Sequence, residues 1–313
     1  MLLFLHLATA LVLPTGVRVG RANGVAMSAS RREFGLSVAA AGAFIAMPTT
    51  PATATAPKSV LVAGATGQTG RRVLERLAKK GGLAVTGGVR NPTSATKTLS
   101  EASITVRGAM VQQVNAVDTA AVSLAKLDVV KDSVPALTET LKGTDALVIA
   151  TGFIPGNPFD MKKDAKAVDN VGTIALVDAA KAAGVSKIVL VSSILTNGRN
   201  WGQEKSAGFV ITNAFGGVLD EKLVAENYLK ASGLDYTIVR PGGLKSTPPS
   251  GALVVAAEDT LSSGEISRDL VADVCVAALF DEGSKNKVVE IFENETPGAT
   301  APPEGKWFYG LKM

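Results

Sequence analysis

The stretch from Lys58 to Leu77 constrains this chain more than any other. Residues 59–63, Ser-Val-Leu-Val-Ala, form a short apolar run of the kind that lies buried as a parallel strand. Gly64, Gly67 and Gly70 punctuate the turn that follows at once, and Val73, Leu74 and Leu77 then recur at helical spacing. Each glycine has a separate use. Gly64 permits a tight turn, Gly67 lets the backbone come close to a bulky anion, and Gly70 lets helix and strand approach. The start of such a helix offers unpaired N–H groups and the positive end of its dipole to negative charge.

A buried strand, a glycine turn and an amphipathic helix in this order make the dinucleotide-binding opening of a Rossmann fold. The turn residues Gly64, Ala65, Thr66, Gly67, Gln68, Thr69 and Gly70 are therefore the expected diphosphate contacts. A glycine-rich turn with no ligand is the alternative, and the flanking strand and helix weigh against it.

The rest of the chain alternates in the same manner. Residues 83–89 predict a second strand ending at Arg90, and 121–127 a third ending at Asp128 and Val129. A short helix is expected at 134–141, and a fourth strand at 146–150 ending in Thr151, Gly152 and Phe153. Residues 165–183 predict a helix with Val168, Val171, Ile174, Ala175 and Leu176 facing inward, closed by Gly184. A strand at 187–191 ends in Ser192 and Ser193, and a helix at 219–231 is closed by Gly233. A strand at 236–239 ends in Arg240, Pro241, Gly242 and Gly243. A last helix falls within 266–280 and a last strand at 288–292. Residues 93–119 are polar and poorly periodic, which predicts a long loop or frayed helix, an insertion. The Pro- and Gly-rich tail, 296–313, is expected on the surface. The fold class that follows is α/β, a Rossmann-type doubly wound parallel sheet in a single domain over 57–295. Ligands of such sheets sit at the carboxyl ends of the strands, so the strand tips named above would line one crevice.

Several chemistries are excluded. His6 is the only histidine and Cys275 the only cysteine, so the body has no histidine base, no histidine or cysteine metal site and no internal disulfide. No metal is expected. Cys275 lies in an apolar stretch and is expected to be a buried small residue rather than a redox switch. Of the net charge of +4, the first 56 residues carry Arg18, Arg21, Arg31 and Arg32 against Glu33. The body is close to neutral and gives no reason to expect nucleic acid as a partner. Residues 1–56 also have the composition of a targeting leader. A short apolar run, an Arg- and Ser-rich segment without acids, the pair Arg31 and Arg32, and Ala52-Thr-Ala-Thr-Ala56 suggest plastid targeting, with or without a twin-arginine step to the thylakoid.

Arg90 stands where NAD-preferring sites carry an acid for the ribose 2′-hydroxyl. An arginine there suits a 2′-phosphate, which favours NADP(H) over NAD(H). A solvent-facing arginine is the alternative. Asp128 either borders adenine or caps a turn.

The turn 64–70 resembles the cofactor turn of the atypical short-chain dehydrogenase/reductases. Residues 168–173 (Val-Asp-Asn-Val-Gly-Thr), 189–195, 238–244 and 266–273 are similar to one NmrA-like branch of them. That branch comprises plastid NAD(P)-binding proteins related to the redox-sensing subunit of the chloroplast import translocon. The resemblance runs from Lys58 to Phe292, apart from 93–119. It implies a catalytic set of a serine, a tyrosine, and a lysine four residues after the tyrosine. The lysine would hold the nicotinamide ribose and lower the tyrosine pKa. Lys222 matches the lysine, and Ser193 or Ser192 the serine. The tyrosine position is then Val218, which transfers no proton. Tyr228 falls on another helix face and Tyr236 in a strand. Lys222 could instead form an ordinary surface pair with Glu226.

Residues 197–217 place Trp201, Phe209, Val210, Ile211 and Phe215 among glycines and polar residues, as a pocket lid, a docking surface for a thylakoid membrane complex, or plain core. The expected function is an NADP(H)-dependent oxidoreductase without the usual tyrosine, acting on an unidentified small plastid metabolite. The alternative is a non-catalytic NADP(H)-sensing assembly or regulatory factor of a thylakoid complex. An isomerase is a third reading, with no distinctive residue behind it. Stroma, thylakoid surface and lumen all fit the leader.

Overall fold

The computed structural model describes residues 56–106 and 110–311. The expected leader lies outside the described residues save for Ala56. From β1 (Ser59–Ala63) the chain turns into α1 (Gln68–Lys80) and runs outward through β2 (Ala84–Val89) and α2 (Pro92–Ser100). A hairpin, β3 (Ser103–Val106) and β4 (Met110–Gln113), precedes the outermost strand, β5 (Ser123–Lys126). Helix α3 (Val134–Leu141) brings the chain back to β6 (Ala146–Ile149) on the other side of β1. There follow α4 (Met161–Ala165), a π-helical turn (Lys166–Gly172), α5 (Thr173–Ala183) and β7 (Lys187–Val191). Next come α6 (Ala207–Asn213), α7 (Val218–Ala231) and β8 (Asp235–Pro241). The chain closes with β9 (Gly243–Lys245), β10 (Ala252–Ala257), β11 (Glu265–Ser267), α8 (Arg268–Phe280) and β12 (Lys287–Asn294).

The main sheet has eight strands in the order β10-β12-β8-β7-β6-β1-β2-β5. Every neighbouring pair is parallel except β10 with β12, which is antiparallel. The order reverses between β1 and β6, which fixes the topological switch point there. Alternate residues of the buried strands feed two apolar layers. Val60, Val62, Val148 and Val189 pack with α1, α2 and α8, while Leu61, Leu147, Ile188 and Ile238 pack with α3, α5 and α7. This is the expected doubly wound α/β sheet.

Residues 93–119 meet the helical alternative in part, since they hold most of α2, and depart from expectation in the hairpin that follows it. Only Ala95 and Leu99 of α2 are buried, so its apolar seam is too narrow to show as periodicity. The missing stability comes from Arg71, whose guanidinium donates to the carbonyls of Thr98, Leu99, Glu101 and Asn115 and so ties down the end of α2. The helix expected at 165–183 is broken in register by the π turn, and Val171, expected inward, is 53% exposed. The tail is not all surface either. Phe308 is wholly buried, with Trp307 and Leu311 packed on the same core layer. The short strands β9, β10 and β11 lay beyond the sequence reading.

Candidate functional site

The glycine turn is pinched between α1 and the tip of β6. Gly64 has φ +81°, and a Cβ there would meet the Ala150 carbonyl oxygen at 2.9 Å. A Cβ on Gly70 would lie 2.2 Å from the Gly64 carbonyl oxygen, so helix and turn touch backbone to backbone. No side chain caps α1. Among the described residues the amides of Gln68, Thr69 and Gly70 meet no acceptor. A helix start left open in this way is suited to an anion. Arg90 stands exposed at the tip of β2, with no hydrogen bond or ion pair among the described residues.

At the tip of β5, Asp128 caps its own turn: its Oδ1 accepts from the amides of Val130 (3.0 Å) and Lys131 (3.3 Å). Of the two readings of Asp128, the structure supplies the capping one. Val129 packs against Gly172 of the π turn.

At the tip of β6, the Thr151 hydroxyl oxygen is buried without a partner among the described residues. Gly152 follows, and the Phe153 amide donates to Asp169 Oδ2 at 3.1 Å. The other oxygen of Asp169 accepts from Lys222 Nζ at 2.7 Å, with side-chain exposures of 1% and 17%. The surface pair of Lys222 with Glu226 is therefore not made. Glu226 faces the sheet instead and accepts from Ser192 Oγ (2.5 Å) and Thr196 Oγ1 (3.2 Å). Ser192 is thus occupied, whereas Ser193, the next residue along, is half-buried. Lys222 lies one turn before Glu226 and so shares the face of α7 that reaches β7.

Pro241, Gly242 and Gly243 end β8 and begin β9. The Pro241 carbonyl accepts from the Ile194 amide at 3.0 Å. A Cβ on Gly242 would lie 2.4 Å from the Gly264 carbonyl oxygen, so the close approach that demands glycine here is to the protein's own backbone.

Behind the site lies a cluster that sequence reasoning missed. Arg240, wholly buried, pairs with Glu226 (2.6 Å), Asp259 (2.8 Å), Glu258 (3.0 Å) and Glu290 (3.4 Å). Burial pulls its pKa down, but the carboxylates outweigh that and hold it above the ordinary arginine value. Burial also pushes the Glu290 carboxyl up, despite the amides of Asp259, Thr260 and Leu261 that donate to it. An arginine beside a proline at a strand end gives no sequence sign of burial; only the packing of α7 and β12 shows it.

Phe209 is core, packed with Ile194, Leu195 and Leu219, whereas Val210, Ile211 and Phe215 face solvent. Cys275 is buried and its thiol is pushed up to about 12 by desolvation, as expected of an inert core cysteine. A cleft of about 840 Å³ lies along the outer side of α1, walled by Arg71, Arg72, Gln112, Ser246 and Arg268. It shares Gln68 with the glycine turn, and Ser246 Oγ donates to that side chain at 2.9 Å. Thr151, Ser193 and Lys222 do not line it.

An NAD(P)H-binding family model matches residues 64–130 and 112–282, a span that includes every strand tip described above. The chain belongs to the NAD(P)H-binding family. Within it, an uncharacterised chloroplastic protein of Arabidopsis thaliana is 46% identical over 236 residues, covering 75% of this chain and 76% of that one. Chloroplastic protein TIC 62 of Pisum sativum is 34% identical over 260 residues, 78% of this chain but 44% of TIC 62. Sanguinarine reductase of Eschscholzia californica is 29% identical over 249 residues, 74% of this chain and 88% of the reductase. Among solved structures, a putative NAD-dependent epimerase/dehydratase from Bacillus halodurans superposes with a TM-score of 0.60 at 24% identity, covering 77% of this chain and 96% of that one. The family is an atypical, Rossmann-type NAD(P)-binding one with plastid members, oxidoreductase-like in character.

Proposed function

We propose that this chain is a plastid NADP(H)-dependent reductase of a small carbonyl or quinone-like metabolite. The observation that carries the reading is the uncapped start of α1, with three amides free among the described residues, together with Arg90, unpaired among them, at the tip of the neighbouring strand β2. The first suits a diphosphate and the second a 2′-phosphate. The Thr151 hydroxyl, buried without a partner among the described residues, lies at the tip of β6, the strand next to β1, and adds a polar group to the same line of strand tips. Residues 64–70 would hold the diphosphate, Arg90 the 2′-phosphate and Lys222 the nicotinamide ribose.

When bound, the nicotinamide supplies a hydride. The protein must orient the substrate oxygen and bring a proton to it. Ser193 would hold that oxygen, and with Val218 in the tyrosine position a water or Ser193 itself would relay the proton. Chloroplastic relatives and the leader composition support the plastid assignment. The body is read as one catalytic domain, 57–295, with a tail that docks onto it.

The test is titration of the purified chain with NADPH and NADH, followed by NADPH consumption against a panel of quinones and aldehydes. Binding with turnover supports the reductase. Binding without turnover favours a second reading, supported by Val218 and by the exposed Val210, Ile211 and Phe215: an NADP(H)-sensing factor that docks on a plastid complex. Determining the mature N-terminus separates the lumen from the stromal side.

A further inference from the structure

The π turn places two adjacent residues, Asp169 and Asn170, against two adjacent residues of α7. Asp169 takes Lys222, and Asn170 Nδ2 donates to Glu221 Oε2 at 2.6 Å. Local π-helical turns of this kind recur at functional sites. Asp169 is buried, and its two oxygens serve two walls of the crevice at once, the Phe153 amide beyond β6 and the Lys222 ammonium on α7. An ammonium has three N–H donors. Asp169 accepts one and leaves two, the number needed for a vicinal diol.

We propose that Asp169 is a positioning residue that fixes the Lys222 ammonium for the two hydroxyls of the nicotinamide ribose. The inference rests on the dinucleotide reading above and adds a residue to it. Asp169 acts through Lys222 and the Phe153 backbone, touches no reacting atom, and takes over the orientation of a lysine that has no tyrosine beside it.

The test is isothermal titration of the full chain with two probes. NADPH carries the nicotinamide ribose, while adenosine 2′,5′-bisphosphate carries only the adenosine half. Asp169→Asn is expected to weaken NADPH by about tenfold or more, the scale of one charge-assisted contact, and to leave the bisphosphate unchanged. Lys222→Met should do the same, and the double variant should be no weaker than Lys222→Met alone. Asp169→Glu should recover part of the loss. Unchanged NADPH affinity in Asp169→Asn would overturn the proposal, and so would an equal loss for both probes, which is the mark of a merely structural role. If Asp169→Asn does not fold, Lys222→Met decides alone, since equal affinity for NADPH would leave Asp169 nothing to position. A wild-type chain that binds the bisphosphate but gains nothing from the nicotinamide half would refute the role of Asp169 while sparing the glycine turn. One that binds neither probe would bring down the dinucleotide reading and this proposal with it.

Discussion

Arg240 and Glu226 form an ion pair at 2.6 Å in which neither side chain has any exposure to solvent. The pair ties β8 to α7, and Glu226 extends the tie to Ser192 at the end of β7. A buried cation among several carboxylates is stable only as a set, because removing one member leaves uncompensated charge in a low dielectric. Arg240→Met should therefore cost about 3–5 kcal/mol in urea unfolding, the usual scale for breaking a buried pair. Glu226→Gln, which keeps an acceptor for the arginine and for Ser192, should cost clearly less. Equal costs would mean that the cluster is held by shape rather than by charge.

The strands and helices that build the crevice were legible because each is long or strongly apolar and is bounded by glycine or proline, as with 59–63 before Gly64 or 173–183 before Gly184. What escaped depended on partners far away in sequence. Helix α2 has two buried residues and leans on Arg71, a side chain that sequence alone assigns to a helix surface. Arg240 and Glu226 look like ordinary polar positions until β12 and α7 close over them. Asp169 stood within a recognised motif, but its lysine lies on another helix, and no periodicity encodes that contact. The proposed dinucleotide site is thus legible at the glycine turn, where local backbone makes it, and obscure at Asp169 and Lys222, where tertiary packing does.

Glu293 gives an acid-side prediction. Burial pushes its carboxyl up, but the amides of Ser250 and Ser267, the Ser250 hydroxyl and the Lys245 ammonium pull it down further, to below the ordinary glutamate range. A carboxyl depressed in the folded state adds stability that is present above its unfolded pKa and lost as pH falls through the folded one. Glu290 works in the opposite sense, since its raised pKa removes stability as pH climbs past the ordinary glutamate value. Unfolding free energy measured from neutrality downward should fall less steeply in Glu293→Gln than in the wild type. Parallel curves would assign no such linkage to Glu293.

Phe308 anchors the tail. Its ring is wholly buried and its carbonyl accepts from Lys287 Nζ on β12. Phe308→Ala should lower stability by about 3–5 kcal/mol, as core phenylalanine truncations do. A loss below about 0.5 kcal/mol, typical of a surface change, would restore the surface tail that composition suggests.

Arg90 tests cofactor choice. Nothing among the described residues holds its guanidinium, so replacing it should leave the fold alone. Arg90→Asp removes a partner for a 2′-phosphate and supplies an acceptor for a 2′-hydroxyl. NADPH affinity should fall by about tenfold or more while NADH affinity holds or rises, judged by titration of both nucleotides. An unchanged ratio would assign the 2′-position to some other residue.

Val218 sits at the start of α7, half-buried beside Ile194, Leu195, Phe209 and Leu219, and one turn before Lys222. Residues four apart on a helix share a face, so a phenol at 218 would stand next to the Lys222 ammonium, whose charge would lower its pKa. If water now carries the proton, a positioned phenol should raise NADPH turnover by about 10²–10⁴-fold, the usual range for general acid catalysis, with little change in cofactor affinity. Lys222→Ala in the Val218→Tyr background should cancel most of that gain and weaken NADPH as well. A Val218→Tyr chain that stays folded, binds NADPH and turns over no faster would mean that α7 does not border the reacting carbon. The sensing role would then stand as the better account of a crevice built to hold a dinucleotide.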